Sequence, residues 1–279
     1  MKRVTSINGR IVPRGKEKIS IFDNSVLYAE GLFETCLIVN DEICFLKEHL
    51  DRLFRGLKVI GIKIPYSKEQ ITKWMNALAR KLSDEVKRIR MTVSSGESEF
   101  WAGKKGRPQI LMTVAPHTMR HQPFKLYLSP FEIDQDSVFR QIKTISYAIH
   151  AASLKLAKKN KCDDALIMNR NGKIAEVSSA NIFWAKNKTI FTPPLSAGCL
   201  AGVTRKIVIK EAKKLGFKLL EKDVSLVELS KADEVFISSS LKLVIGVSEI
   251  ITDKKRYKYQ PGIYTKTIRE RFFEITRLS

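Results

Sequence analysis

The chain has 279 residues, of which 44% are hydrophobic, and this content excludes an intrinsically disordered protein. The length suits one large domain or two of ordinary size. With 50 lysine and arginine residues against 29 aspartate and glutamate residues, the formal net charge is +21. Such a charge is compatible with nucleic-acid binding, but the basic residues are spread over nearly every predicted helix without a recognition motif. We therefore predict solvated helix faces and no specific nucleic-acid partner.

The sequence also indicates the compartment in which the protein acts. No run of apolar residues is long enough for a membrane span, and the basic N-terminus has no apolar stretch behind it, so no secretory signal is predicted either. The four cysteines lie far apart and form no CxxC pair, which argues against a disulfide framework and against a zinc site. We expect a soluble, cytoplasmic protein with reduced thiols and no bound metal.

The first part of the chain alternates β-prone runs with turn signals. Residues 5–12 predict a hairpin that turns at Asn8–Gly9, and a second hairpin is expected around Asn40–Asp41. Between the two turns, a strand is predicted to begin near Leu32. These signals indicate an antiparallel sheet near the N-terminus.

Helices follow the hairpins. Apolar residues recur at helical spacing over residues 50–60, and Gly61 stands where a terminating glycine belongs. Ser67 has the position of an N-cap for a second helix, with Gln70 completing a capping box. Strands are predicted at 89–93 and 109–114, so the first part of the chain is α+β.

Residues 115–123 contain two prolines and no periodicity, which predicts a linker. The chain is therefore divided into an N-terminal domain, residues 1–118, and a C-terminal domain, residues 119–279. In the second domain, apolar spacing predicts one helix that begins just after Lys143 and another that opens at Thr204. A buried strand that ends in serine hydroxyls is predicted at 233–240.

Three segments carry the strongest functional signal. They are ArgGlnIleLysThrIleSerTyr at 140–147, IleAlaGluValSerSerAlaAsnIlePheTrp at 174–184 and LeuAlaGlyValThrArg at 200–205. Together with motifs at 23–34, 49–53 and 232–237, they resemble the class IV aminotransferases, in the order expected of that family and over nearly the whole chain. A single lysine or glycine among them would carry no information alone.

This resemblance implies a fold type IV enzyme that uses pyridoxal 5'-phosphate. The implied fold class is α/β (α+β), with a smaller N-terminal α/β domain, a larger strand-rich C-terminal domain and the cofactor in the cleft between them. The family also implies a homodimer whose active site borrows a loop from the partner. Small amino acids and 2-oxo acids would be its substrates.

Within that resemblance, Lys143 is the candidate for the Schiff base with the cofactor and for proton transfer during catalysis. A lysine in isolation is usually a surface residue, so the flanking match carries this assignment. Glu176 is the candidate carboxylate that holds the pyridine nitrogen protonated. Tyr147, placed one predicted helical turn after Lys143, is the candidate donor to the phenolate oxygen. Outside the family context, Glu176 would be an exposed strand residue and Tyr147 a core residue.

The phosphate of the cofactor needs convergent donors, which a helix N-terminus supplies. Residues 202–204 open a predicted helix, so Val203 and Thr204 are candidate ligands, although such a sequence is more often only a cap. Ser239 and Ser240 at a strand end could add hydroxyls. The resemblance alone marks Arg52 as a further phosphate ligand, and otherwise it would be a solvent-facing helix residue. The resemblance also places Ser178, Ser179 and Asn181 near the cofactor or in the turn that supports it.

The reaction is less sharply defined than the cofactor. Transamination of a branched-chain or D-amino acid is favoured, with 4-amino-4-deoxychorismate lyase, which releases pyruvate and 4-aminobenzoate, as the alternative. Many members of the family have a basic residue at the position of Leu37, and others have arginine at the position of Ser95, so both departures affect how a substrate carboxylate is bound. A further alternative is a basic protein that binds a polyanion without catalysis.

Overall fold

The computed structural model describes residues 2–99, 102–104 and 106–278. It divides into two compact units. The first comprises Met1–Met119 and Ile142–Ser146, and the second comprises Arg120–Gln141 and Tyr147–Ser279. The chain passes from the first unit to the second after residue 119, one residue from the predicted boundary at 118. The sequence did not predict that residues 142–146 belong to the first unit.

The first unit contains an antiparallel sheet with the strand order β2-β1-β6-β5-β3-β4. Its strands are β1 (Val4–Ile7), β2 (Arg10–Val12), β3 (Gly31–Val39), β4 (Glu42–Ile43), β5 (Val86–Ser94) and β6 (Gln109–Pro116). Both predicted hairpin turns are confirmed, because Asn8, Gly9, Asn40 and Asp41 all have positive φ angles. Positive φ at both central residues gives a two-residue turn the twist of its flanking strands.

Helices α1 (Asn24–Leu27), α2 (Leu46–Val59) and α3 (Lys68–Ala79) complete the first unit within the described residues. Gly61 follows α2 with φ +71°, as a terminating glycine requires. The Ser67 side chain accepts the Gln70 backbone N–H, which confirms the predicted cap of α3. The core of the unit consists of alternate residues of β3, β5 and β6 together with the apolar sides of α2 and α3.

Residues 142–146 lie against the beginning of β3 without forming a strand. Thr144 pairs with Leu32 as an antiparallel bridge. The Phe33 N–H donates to the Lys143 carbonyl at 2.9 Å, and the Ile145 N–H donates to the Gly31 carbonyl at 3.0 Å. Since β5 occupies one edge of β3, this segment lies along the same edge as the short strand β4.

The helix predicted to begin just after Lys143 is therefore wrong in its boundary. Helix α4 spans Ala148–Lys159, with Tyr147 as its N-cap residue. The apolar spacing around Ile145 suits a helix, but the backbone groups of this segment are used in pairing with β3. Tertiary pairing overrides local propensity here. Tyr147 consequently does not stand one helical turn after Lys143.

The second unit contains a larger, mixed sheet. Its strand order is β12-β11-β10-β13-β14-β7-β8-β9, and β15 pairs with β14. The strands are β7 (Phe124–Leu128), β8 (Asp164–Met168), β9 (Ile174–Val177), β10 (Asn181–Lys186), β11 (Thr189–Thr192), β12 (Lys218–Glu221), β13 (Glu234–Ser239), β14 (Leu243–Ile251) and β15 (Arg256–Lys258). The pairs β11 with β12, β14 with β7, and β7 with β8 are parallel.

Besides α4, the helices of this unit are α5 (Val203–Lys214), α6 (Leu226–Leu229) and α7 (Ile263–Thr276), with 3-10 turns at Val138–Gln141 and Leu195–Ala197. Helix α5 begins within one residue of its predicted start. Strand β13 confirms the predicted buried strand and ends at Ser239, so the serines lie at its C-terminal end. None of the helices in the described ranges combines the length and hydropathy that crossing a bilayer requires.

Candidate active site

Lys143 lies beside an aromatic ring of its own unit. Its Nζ is 4.4 Å from the centroid of the Phe33 ring, and the guanidinium carbon of Arg90 is 3.9 Å from the same centroid. Phe33 is buried. Two cations on one aromatic ring form a site where an apolar surface and positive charge adjoin, because the face of an aromatic ring attracts cations.

The β3–β5 register explains the position of Arg90, which the sequence motifs did not reveal. Thr35 stands opposite Arg90, and Leu37 stands opposite Arg88. Directly opposed residues in an antiparallel pair share a face of the sheet, and alternate residues of one strand share it too. Phe33, Leu37 and both arginines are therefore on one face. Aligning the sequences of β3 and β5 in this register would have shown that Arg88 and Arg90 share a face of the sheet with Phe33 and Leu37.

Arg52 belongs to a buried polar cluster in the first unit. Its Nε donates to Glu34 Oε1 at 2.8 Å and its Nη2 donates to Glu34 Oε2 at 2.6 Å, while His49 Nδ1 lies 2.7 Å from Oε2. Burial alone would raise the pKa of Glu34, but the charge and hydrogen bonds of Arg52, with a further hydrogen bond from His49, lower it to about 2. A guanidinium has five donors, so this pairing is chemically compatible with the phosphate role predicted for Arg52.

Glu176 in the second unit is a buried carboxylate with several donors. Its Oε1 accepts Arg140 Nη2 and His150 Nε2, the latter at 2.9 Å, and its Oε2 accepts the Leu200 N–H at 2.9 Å. Burial opposes ionisation, but the hydrogen bond from His150 and the charge of Arg140 lower the pKa of Glu176. These described donors leave room for one more, since a carboxylate has about four acceptor positions. Without the family context, Glu176 would be expected to be an exposed strand residue. In the structure it is buried, and its donors favour the ionised form.

Tyr147 and His150 come from the beginning of α4. Their rings stack with centroids 4.3 Å apart, and the Tyr147 hydroxyl donates to the Ser178 carbonyl at 2.6 Å. Because an ionised carboxylate only accepts, Nε2 of His150 carries the proton shared with Glu176. His150 therefore connects two of the predicted site residues. Its position three residues after Tyr147, on the same side of a helix, was the available sequence signal.

The beginning of α5 is packed closely against β10. Gly202 is the N-cap residue and lacks a side-chain cap, and Thr204 in the first turn is buried. The Asn181 side-chain amide donates to the Leu200 carbonyl at 2.9 Å, and a Cβ at Gly202 would lie 2.0 Å from Asn181 Oδ1. The lack of a side chain at Gly202 therefore allows a close approach to the Asn181 amide oxygen. The first N–H groups of an α-helix have no partner within the helix.

Strand β13 brings Ser238, the residue before the predicted serines, opposite Asn181. Asn181 pairs with Ser238 in the β10–β13 register, and Ser239 is the next residue. The Ser238 hydroxyl is buried and accepts or donates no hydrogen bond within the described part of the chain. An orphaned hydroxyl near uncapped helix N–H groups is a donor set suited to an anion.

The structure thus distributes the predicted site residues between its two units. Lys143 and Arg52 are in the first unit, and Tyr147, Glu176, Ser179, Val203, Thr204, Ser239 and Ser240 are in the second. Within the second unit, a hydrogen bond joins Tyr147 to the turn that contains Ser179, and Tyr147 is linked to Glu176 through His150, which stacks on its ring and bonds to the carboxylate. Three side chains that contact these residues, Arg140, His150 and Lys242, were not among those predicted.

Comparison with known proteins gives a consistent result. The sequence model described as "Amino-transferase class IV" matches residues 31–250. A "Putative branched-chain-amino-acid aminotransferase" of Methanocaldococcus jannaschii is 30% identical over 274 residues, covering 96% of this chain and 95% of the relative. An aminodeoxychorismate lyase of Bacillus subtilis is 29% identical over 269 residues, covering 94% of this chain and 91% of the relative.

Among solved structures, the branched-chain aminotransferase of Thermoproteus uzoniensis with norvaline matches with a TM-score of 0.90 and 25% identity, covering 98% of this chain and 95% of that chain. The expected α+β fold class is confirmed by this match over almost the full length of both proteins.

The buried Glu34 carboxylate makes stability depend on acid pH. A pKa lowered from 4.5 to about 2 corresponds to about 3 kcal/mol of stabilisation, present above the ordinary glutamate pKa and lost as the pH falls toward 2. We expect Glu34→Gln to lower the unfolding free energy at pH 7 and to differ progressively less from the wild type between pH 5 and pH 3. Urea titrations would measure this, with Glu85→Gln as the exposed control. A difference that is independent of pH would contradict this account of Glu34.

The close packing of Gly202 against Asn181 leads to a second prediction. Gly202→Ala should lower the unfolding free energy by roughly 1–3 kcal/mol, because the added methyl group overlaps the Asn181 amide oxygen. Asn181→Ala should relieve part of this loss in the double variant, since the two residues are in contact. Thermal and urea unfolding of the two single variants and the double variant would measure the coupling. Strictly additive losses would contradict the proposed contact.

Proposed function

Because this chain belongs to the class IV aminotransferase family, we propose that it transfers an amino group between an apolar amino acid of the branched-chain type and a 2-oxo acid. The family match confirms the resemblance inferred from the motifs, and with it an enzyme that uses pyridoxal 5'-phosphate. When bound, this cofactor withdraws electrons from the substrate Cα as its proton leaves.

The described residues fit the needs of this cofactor. The carboxylate of Glu176 is buried and ionised, with an acceptor position in reserve, as binding of a protonated pyridine nitrogen requires. The uncapped beginning of α5 and the orphaned Ser238 hydroxyl suit a phosphate dianion. We assign phosphate binding to Val203, Thr204, Ser239 and Ser240, and the family resemblance alone adds Arg52.

Lys143 is proposed to hold the cofactor covalently and then to carry the proton to and from the substrate Cα. Support comes from its family position and from its setting. The backbone of residues 143–145 is fixed by hydrogen bonds to β3, and the Phe33 ring lies under the Nζ. Because its backbone is already fixed, Lys143 loses less conformational entropy when its side chain is positioned for catalysis.

The preference for an apolar amino acid rests on one observation, the shared contact of Lys143 and Arg90 with the Phe33 ring. The Phe33 ring makes the surroundings of the Lys143 Nζ apolar, and the guanidinium of Arg90 can bind the substrate carboxylate in a bidentate manner. Arg88, opposite Leu37, adds positive charge on the same face. These arginines would replace the basic groups that the sequence lacks at Leu37 and Ser95.

The alternative function, 4-amino-4-deoxychorismate lyase, is supported by similarity to the Bacillus subtilis enzyme over nearly the whole chain. A basic face that includes Arg88 and Arg90 would also suit a substrate with more than one carboxylate. The two reactions differ in their products. Transamination yields a 2-oxo acid from the amino donor, whereas the lyase yields pyruvate and 4-aminobenzoate without an amino acceptor.

Product analysis separates these two functions. We expect the protein with bound cofactor to convert leucine, isoleucine or valine, with 2-oxoglutarate as acceptor, to the corresponding 2-oxo acid. Lys143→Ala should lower this rate by at least about a thousandfold, because it removes both the covalent attachment and the proton carrier. Lys155→Ala, an exposed lysine on α4, is the matched control. Release of 4-aminobenzoate from aminodeoxychorismate, with no turnover of amino acids, would contradict transamination.

We also propose that two copies of the chain form a dimer through an exposed apolar segment of the first unit. Between residues 19 and 28, six large apolar side chains are 37–71% exposed, namely Ile19, Ile21, Phe22, Val26, Leu27 and Tyr28. An apolar patch of this kind is typical of an interface. A second copy is the proposed occupant because the family implies homodimers.

Sedimentation equilibrium tests this interface. The wild type should have the mass of two chains, and a double substitution of Ile21 and Phe22 by aspartate should shift it toward the mass of one chain. Val227→Asp, at an apolar residue that is 64% exposed in the second unit, should remain dimeric. A double variant that stays fully dimeric would exclude this segment as the interface.

A further inference from the structure

Lys242 is a mostly buried lysine for which the proposed chemistry has no use. Its Nζ donates to Ser179 Oγ at 2.6 Å and lies 3.5 Å from Asp164 Oδ2, and its side chain is 21% exposed. Burial lowers the pKa of Lys242, while Asp164 acts in the opposite direction. Withdrawing an ammonium group from water is costly. The structure retains this charge beside the turn that follows Glu176.

Asp164 is the partner of this lysine and is itself buried. Its Oδ1 accepts the Ser178 hydroxyl and the Ala165 N–H, the latter at 2.9 Å, and its Oδ2 accepts the Ser179 hydroxyl. With Lys242, these donors occupy the acceptor positions of the carboxylate. We refer to Asp164 and Lys242 together as the Asp164–Lys242 clamp, because both contact the serine pair at 178–179.

The clamp fixes the peptide group between the two serines. The Ser178 hydroxyl donates to Asp164, and the backbone N–H of Ser178 donates to the Ala165 carbonyl at 2.8 Å. The Ser179 hydroxyl is held by both members of the clamp. With both flanking side chains fixed, the Ser178 carbonyl has a defined direction. That carbonyl accepts the hydrogen bond from Tyr147 at 2.6 Å.

A phenol carries one proton, so Tyr147 can donate to one acceptor at full strength. In the structure this proton is directed to the Ser178 carbonyl. In the proposed function, the phenolate oxygen of the cofactor is a second acceptor for it. The balance between these two acceptors depends on how firmly the Ser178 carbonyl is held.

We propose that Asp164 and Lys242 are positioning residues that fix the Ser178 carbonyl and thereby control how the phenolic proton of Tyr147 is shared between the protein and the cofactor. Neither residue is required to touch the substrate or the cofactor. The inference rests on the proposed function of Tyr147, since the clamp would otherwise only stabilise a turn.

The first test uses the protein without cofactor. Tyrosine labelled with carbon-13 at the hydroxyl-bearing carbon gives one resonance for each of the seven tyrosines, and Tyr147→Phe identifies the signal of Tyr147. Lys242→Met, which removes the charge and keeps an unbranched chain one atom shorter, should shift that resonance. Lys155→Met, at an exposed lysine on α4, should leave it in place. An unchanged Tyr147 resonance in a folded Lys242→Met protein would overturn the inference.

The second test is a double-mutant cycle in the protein with cofactor. Lys242→Met should lower kcat about tenfold with little change in KM, and should shift the pH midpoint of the visible cofactor band by about half a unit. In a Tyr147→Phe background, the same substitution should have almost no further effect on either quantity. Lys242→Arg, which retains charge and donors, should restore much of the wild-type behaviour.

A role of the clamp in stability alone gives a different pattern. Lys242→Met would then lower the thermal midpoint while changing kcat and the pH midpoint equally in the wild-type and Tyr147→Phe backgrounds, and this result would overturn the inference. Asp164→Asn offers the same cycle if Lys242→Met does not fold. Failure of the proposed function is separately visible, because the wild type would then show neither a cofactor band nor turnover.

Discussion

The pairing of residues 142–146 with the beginning of β3 is the constraint on which the remaining arrangement depends. Two backbone hydrogen bonds and a bridge to Leu32 fix the backbone of residues 143–145 against β3 in the first unit. They place the Lys143 Nζ over the Phe33 ring. Because of this pairing, α4 begins only at Ala148, with Tyr147 as its N-cap residue. One short pairing therefore determines the conformation of the predicted catalytic lysine and the point in the chain at which the helix with the predicted phenol begins.

Buried carboxylates organise the polar groups around this framework. Glu34, Asp164 and Glu176 are almost fully buried, and each is surrounded by cationic or neutral donors. Burial of a carboxylate is unfavourable, and for Glu34 and Glu176 the donors more than compensate, since the pKa of each is lowered. The same donors give each carboxylate one orientation. An ionised, oriented carboxylate such as Glu176 is what a cationic pyridine nitrogen requires, and Glu34 orients the guanidinium of Arg52.

Local turn and capping chemistry made much of the fold predictable. The two hairpins followed from Asn8–Gly9 and Asn40–Asp41, and the beginning of α3 followed from Ser67, because these signals act within a few residues. The backbone conformation around Lys143 was not predictable in this way. It depends on β3, which lies far earlier in the sequence, and the local apolar spacing favoured a helix.

The same distinction applies to the candidate site. Lys143 and Glu176 were predicted from motifs, whereas Arg90, Arg140, His150 and Lys242 were not, because their contacts are made across strands and turns. Arg90 could have been found by writing β3 and β5 in register. Lys242 could not, since its relation to Asp164 depends on how β8 and the segment before β14 meet in the folded sheet. Charge count alone gave no indication that Lys242 would lie beside a buried carboxylate.

The most direct test of the central claim is to locate the cofactor attachment. The protein should be incubated with pyridoxal 5'-phosphate, reduced with borohydride, digested and analysed by tandem mass spectrometry. A phosphopyridoxyl group on Lys143, absent from Lys242 and from surface lysines such as Lys155, is the result this account predicts. Labelling spread over exposed lysines with Lys143 unmodified, or a dominant label on Lys242, would contradict it.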